Sequence, residues 1–178
     1  HGVIWRDNPA QIVERYLKWA DAYRENQITI IYDTMWDSTR HVAEAIAEGI
    51  HTADPEVNLK LMNSSDRDKN DIVTEAFASK AVLMGSPTIN RGILTSIAAL
   101  LEEIKGLKFR GKKAAAFGCY GWSGESVPFI TKSLEECGFE IVDDGFKALW
   151  APDEESIKAA YGYGRKFAEA LSGMTVSA

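Results

Sequence analysis

Cysteine is scarce in this sequence. Its 178 residues hold two, Cys119 and Cys137, too far apart for a C-x-x-C redox or zinc pattern and too few for a disulfide scaffold, so both are expected as reduced thiols. Positive charge is also in deficit, with 20 Lys and Arg against 26 Asp and Glu and a net charge of −6. The acids recur in short runs such as Asp66/Asp68/Asp71, Asp143/Asp144 and Asp153/Glu154/Glu155. Such a surface repels phosphate backbones, which excludes a nucleic-acid partner, and would steer a basic one. No apolar run reaches the roughly 18–20 residues of a membrane span, and no charged, apolar, then small-residue leader stands at the start. A cytoplasmic protein with no membrane partner is therefore expected. Internal repeats, low-complexity tracts and flexible linkers are missing as well. Apolar residues are plentiful at 46 %, enough for a real core in a chain of single-domain length.

From Asn8 the stretch NPAQIVERYLKWADAY combines a capping Asn, Pro9 at the first helical position, and Ile12, Tyr16, Trp19 and Tyr23 at helical spacing. An amphipathic helix is predicted there. Beyond it, strand patterns at 28–32, 57–62, 81–86, 114–119 and 145–150 alternate with helical ones. Five strands alternating with five helices imply parallel βαβ crossovers and an open α/β sheet. The first, third and fourth strands are apolar almost throughout, as strands covered on both faces are. The second alternates Val57, Leu59 and Leu61 with Asn58 and Lys60, the pattern of a sheet edge. A five-stranded parallel sheet of order 2-1-3-4-5 satisfies both, and its ligand crevice lies over the carboxyl ends of strands 1 and 3.

Three loops rise on that edge: DTMWDSTR (33–40), SPTINRG (86–92) and CYGWSG (119–124). The first brings Thr34, Ser38 and Thr39 to a helix N-terminus, where unpaired amides and the helix dipole attract an anion. Plain helix capping would use Ser38 and Thr39 equally well. The first loop holds no Lys, and Arg40 is the only cation near it. Trp36, Tyr120 and Trp122 then supply large aromatics at a rim with no core to fill, which suits a flat aromatic ligand. An anionic end and a planar end on one crevice suggest a mononucleotide, most simply FMN.

In this order, YDTMWDST, GSPTIN and GCYGWSGE resemble the flavodoxin-like domain of flavodiiron proteins, also called A-type flavoproteins and including the flavorubredoxins. The resemblance covers about the whole chain. A general flavodoxin phosphate loop looks like T/S-x-T-G-x-T. Asp37 stands here in place of the Gly, at a position that varies among flavodiiron proteins. The resemblance implies a flavodoxin-like three-layer sandwich with an extra N-terminal helix. It places the FMN phosphate on Thr34, Met35, Asp37, Ser38 and Thr39. The isoalloxazine would lie between Ser86, Pro87, Thr88, Ile89 and Asn90 on one side and Cys119, Tyr120, Gly121, Trp122, Ser123 and Gly124 on the other, with Trp36 near it. An acidic rim of Asp37 and Glu125 would lower the flavin's potential.

No catalytic residue is implied, only electron carriage from a rubredoxin or an NAD(P)H-dependent reductase. The acceptor would be a diiron centre in a further domain, of the same or a neighbouring subunit of a homo-oligomer, that reduces O2 or nitric oxide. HGVIWRDNP resembles the junction that follows the diiron domain, with His1 as the last iron ligand. Residues 1–8 would then be a remnant of that junction, 9–26 a connecting helix, 27–172 the FMN-binding domain and 173–178 a tail.

Rival readings meet specific obstacles. A thiol hydrolase would use Cys119, but GWSGE at 121–125 breaks G-x-S-x-G at Glu125. A phospho-receiver would put Asp33 to use, yet strand 3 ends in GSP with no acceptor Asp. GCYGWSG lacks the G-x-G-x-x-G spacing of a dinucleotide fold. A free-standing flavodoxin-like quinone reductase is the alternative that shares both FMN and sheet.

Overall fold

A computed structural model describes residues 4–173. Pro9 opens α1 (Pro9–Ala20), at a position where the missing N–H would have had no helical partner. No residue of α1 is buried, and Val13, Tyr16 and Leu17 stand exposed on it. The remaining elements are β1 (Glu25–Tyr32), α2 (Ser38–Ala53), β2 (Asn58–Asn63), α3 (Lys69–Ala78), β3 (Ser79–Gly85), α4 (Thr95–Lys105), β4 (Lys113–Tyr120), α5 (Ser126–Glu136), β5 (Glu140–Ile141), β6 (Phe146–Leu149) and α6 (Glu154–Ala170). No helix among the described residues is long and apolar enough to cross a membrane.

Every strand pairing is parallel, and the order is β2-β1-β3-β4-β5 with β6 also on β4. The predicted order therefore holds, with one correction: the fifth place is shared by two short strands. β5 pairs with Lys113 and Ala114, and β6 with Phe117 to Tyr120. Past Val142, whose N–H still donates to Ala114 O at 2.9 Å, the chain leaves the ladder until Phe146. Gly145 has φ +84, and a Cβ there would crowd the Ala116 carbonyl. Asp143 fixes the detour by accepting from Gly145 N at 2.8 Å and from Tyr163 Oη at 2.7 Å. The strand predicted over 145–150 is thus β6 (Phe146–Leu149), and β5 is an additional two-residue strand ahead of the detour.

Side-chain alternation splits the core into two layers, one on each face of the sheet. Ile28, Ile30, Leu83, Ala115 and Phe117 face α2 and α6, while Ile31, Val82, Met84, Ala114 and Ala116 face α3, α4 and α5. All seven residues of β3 are buried and none of β2 is, as expected of a central and an edge strand. On the first face α2 and α6 cross with backbones nearly touching. A Cβ at Gly49 would overlap the carbonyl oxygen of Tyr161, and one at Gly164 that of Ile46. This seam fixes α2, and hence the N-terminus that α2 offers at the carboxyl edge. Because the strands are parallel, the turns after β1, β3, β4 and β6 all gather at that edge.

Candidate functional site

The turn after β1 is pinned from below by Asp33. Its amide donates to Gly85 O at 3.1 Å, and its carboxylate accepts from Thr34 N at 2.7 Å, Ser65 Oγ at 2.7 Å and Ser96 Oγ. Asp33 thus holds the turn together from within. Asp37 then takes φ +63 and ψ −8, the left-handed conformation that costs a non-glycine residue roughly 1–2 kcal/mol and that Asp tolerates better than most. This explains why a Gly stands here in the wider flavodoxin pattern.

The Asp37 carboxylate does not cap α2. It takes Arg40 Nε at 2.9 Å, while Arg40 Nη1 reaches Glu44 at 2.9 Å. The hydrogen bond from Arg40 holds the Asp37 carboxyl below its usual range, so it stays ionised. Arg40 is therefore occupied at the surface, and the amides of the first turn of α2 have no side-chain cap.

Two hydroxyls give the turn its chemistry. Thr34 Oγ1 and Thr39 Oγ1 are buried with no oxygen or nitrogen partner; Thr39, 0 % exposed, has only the weakly accepting Cys119 sulfur beside its hydroxyl. Leaving a buried hydroxyl unmatched costs about 1–3 kcal/mol, and such atoms call for an explanation. Two hydroxyls and uncapped amides at the positive end of a sixteen-residue helix form the donor set that a phosphate takes up. The residues present fit the phosphate end of a mononucleotide.

In the turn after β3, Ser86 is fully buried and works as a brace. Its hydroxyl donates to Pro87 O at 2.9 Å and accepts from Leu94 N at 3.0 Å. Ile89 and Gly92 exchange backbone hydrogen bonds across Asn90 and Arg91, whose φ values of +50 and +58 make a tight type I′ reversal. Thr88 N donates to Cys119 O at 2.9 Å, and Thr88 Oγ1 lies 3.0 Å from Ser126 Oγ. These bonds join the second loop to the third.

The third loop carries Tyr120, Gly121 and Trp122, with Gly124 at φ +66 beneath the Tyr120 ring. Ser123 Oγ donates to Glu125 at 2.7 Å, which keeps that carboxyl below its usual range. Trp36 and Trp122 are each 88 % exposed and Trp150 is 60 % exposed, so three indoles stand at one rim.

A cleft of about 330 Å³ joins these loops. It is lined by Thr34, Met35, Trp36, Ser38 and Thr39 from the first, Pro87 and Thr88 from the second, Cys119, Tyr120 and Gly121 from the third, and Trp150 and Ala151 from the turn after β6. A second hollow of about 410 Å³ shares Thr88 and Gly121 and adds Asn90, Arg91, Trp122, Ser123 and Glu125. Of the sequence-predicted residues, Asp37, Ser86, Ile89 and Gly124 line neither. They support the walls instead. The residues that sequence reasoning missed are Trp150, Ala151 and Arg91; the only signal for the first two was a Trp at the end of the fifth strand followed by APDE. His1 lies outside the described residues, and among those no group of three or more His, Cys, Asp or Glu could hold a metal.

Cys119 sits in the floor of the cleft, buried, and burial pushes its thiol up to about 11. A nucleophile needs the opposite shift, and His41 and His51 of α2 are both exposed. The raised value has a consequence for stability. Between about pH 9 and pH 11 the thiol ionises in the unfolded chain but not in the folded one, so stability is untouched below this window and falls as pH rises through it. Urea midpoints near pH 7.5 and pH 10 should show the wild type losing about 1 kcal/mol more than Cys119→Ala; equal losses would remove Cys119 as the cause.

Comparison with known proteins gives the family. Residues 30–164 match the flavodoxin family. The chain is similar to the anaerobic nitric oxide reductase flavorubredoxin of Aliivibrio fischeri, at 50 % identity over 99 % of this chain and 36 % of that protein. The counterpart in Escherichia coli is 50 % identical over 94 % of this chain and 35 % of its own length. This chain thus spans about a third of these relatives. Among solved structures, rubredoxin oxygen:oxidoreductase of Desulfovibrio gigas superposes with a TM-score of 0.88 at 34 % identity, over 97 % of this chain and 43 % of that one. A flavodiiron protein of Giardia intestinalis does so with a TM-score of 0.86 at 29 % identity, over 95 % and 42 % respectively.

Proposed function

This chain belongs to the flavodoxin family, with FMN as its cofactor, and we propose that it carries electrons between a soluble donor and a diiron domain of the flavodiiron type. The observation that carries the reading is the pair of buried hydroxyls of Thr34 and Thr39, without oxygen or nitrogen partners, at the amino end of α2.

FMN supplies reversible electron transfer when bound; the chain's residues bind, orient and shield. Thr34 and Thr39 give hydroxyl donors to the phosphate, and Met35, Asp37 and Ser38 share the turn whose amides supply the counter-charge. Pro87, Thr88 and Asn90 would form one side of the ring site, supported from behind by Ser86 and Ile89. Cys119, Tyr120, Gly121, Trp122 and Ser123 would form the other, with Gly124 beneath the Tyr120 ring. Trp36 and Trp122, exposed at the mouth, would cover part of the bound ring system, which would strengthen the effect of nearby charge on the flavin's potential. Glu125, ionised at the rim, disfavours added negative charge.

The donor in this proposal is a rubredoxin or an NAD(P)H-dependent reductase in the cytoplasm. The acceptor is a diiron centre in another domain of the same or a neighbouring subunit of a homo-oligomer. Nitric oxide or O2 is the substrate there, following the names of the flavorubredoxin and oxidoreductase relatives. The test is anaerobic mixing of the FMN-loaded chain with a chemically reduced rubredoxin. Rapid bleaching of the visible flavin band supports the carrier role. Slow bleaching by rubredoxin together with steady NAD(P)H-driven quinone turnover by the chain alone would overturn it in favour of a quinone reductase.

A further inference from the structure

We propose that the indole of Trp150 is a positioning residue for the ring system of bound FMN, walling the cleft from the turn after β6; this rests on the flavin reading above. Its backbone lies at φ +55, a region in which a bulky aromatic residue is a genuine outlier and in which strain persists only where the surroundings hold it. The surroundings do hold it. Trp150 N donates to Tyr120 O at 2.7 Å, which extends the β4–β6 ladder by one bond. The Trp122 ring meets the indole edge-on, with centroids 6.0 Å apart.

The indole lies over the backbone of Gly121, where a Cβ would come within 2.9 Å of Cζ3. Glycine at 121 therefore serves Trp150 by leaving room for its ring. Yet the side chain so carefully seated is 60 % exposed and lines the same cleft as Thr34, Thr39 and Tyr120. A Trp that served only the core would be buried, and one that merely ended a strand would not need a left-handed backbone. A flat, rigid apolar face presented to a cleft is what an aromatic heterocycle packs against.

Strain makes the idea testable, because relief of strain and loss of the ring face act in opposite directions. Glycine adopts positive φ without penalty, so Trp150→Gly removes both the strain and the wall. FMN and riboflavin are titrated into the wild type, Trp150→Gly and Trp150→Phe, with urea midpoints of the flavin-free proteins alongside. Trp150→Gly should bind both flavins about tenfold more weakly, and Trp150→Phe should recover most of the loss. The urea midpoint of flavin-free Trp150→Gly should equal or exceed that of the wild type.

Unchanged flavin binding by Trp150→Gly overturns the proposal and leaves the FMN reading standing. A lower urea midpoint assigns Trp150 to the fold and overturns it too. Weakened binding of FMN with riboflavin unaffected would move Trp150 to the phosphate end, contrary to the proposal. Failure of the wild type to bind FMN would remove the reading on which the proposal rests.

Discussion

Thr39→Val should weaken FMN binding by about 2 kcal/mol, some thirtyfold, while making the flavin-free protein more stable. The two signs follow from one atom. Thr39 is wholly buried and its hydroxyl has no partner but the weakly accepting Cys119 sulfur, so exchanging that hydroxyl for a methyl of similar size removes a poorly met polar group from the flavin-free fold. In the proposed complex the same hydroxyl would face a charged phosphate, and hydrogen bonds to charged groups are worth about 1.5–3 kcal/mol. A Thr that merely capped α2 would behave differently. Its loss would lower stability by about 1 kcal/mol and leave affinity to follow. Urea unfolding of the flavin-free variant, together with an FMN titration, separates the cases. A drop in both stability and affinity would return Thr39 to a capping role.

Gly49→Ala is expected to cost about 3 kcal/mol of folding free energy, at the upper end of what over-packing usually does. The added Cβ would overlap Tyr161 O and would lie 3.0 Å from Tyr161 C and 3.1 Å from Arg165 N. All three are backbone atoms, so no side-chain rotation relieves the clash and α2 must move away from α6. Gly164 makes the reciprocal approach to Ile46, which leaves neither helix free to absorb the displacement. Because α2 delivers Ser38 and Thr39 to the cleft, FMN affinity should fall as well. Gly162→Ala is the control. It lies in α6, where an added methyl would have nothing within 4 Å, and should gain up to about 1 kcal/mol from helix propensity. Urea midpoints for both variants check the pair, and equal shifts would refute the seam.

Much of the fold was legible because burial writes itself into strands. The almost wholly apolar 81–86 run became most of the wholly buried β3, and the alternating 57–62 run became the edge strand β2. Pairing of Arg40 with Asp37 and Glu44 was equally open to reading, since residues three and four apart on a helix face one another. The split of the fifth strand was not legible. It depends on Asp143 meeting Gly145 and Tyr163 in space, a contact that no local period records. Trp150 was hidden for the same reason: it was only the last residue of a predicted strand, and neither its positive φ nor its seat on Gly121 can be seen in one dimension. The phosphate turn stood between these extremes. Its small hydroxyls at a helix start were visible, but that Thr34 and Thr39 lack oxygen or nitrogen partners while Ser86 braces its own loop required coordinates.

Stepwise titration of FMN with the purified flavin-free chain, followed by the quenching of flavin fluorescence, tests the central claim most directly. Saturation at one equivalent, with tryptophan emission quenched in parallel by the indoles of the rim, is the predicted result. Flavin fluorescence that declines without saturating, or that is unaffected by an excess of protein, would contradict it.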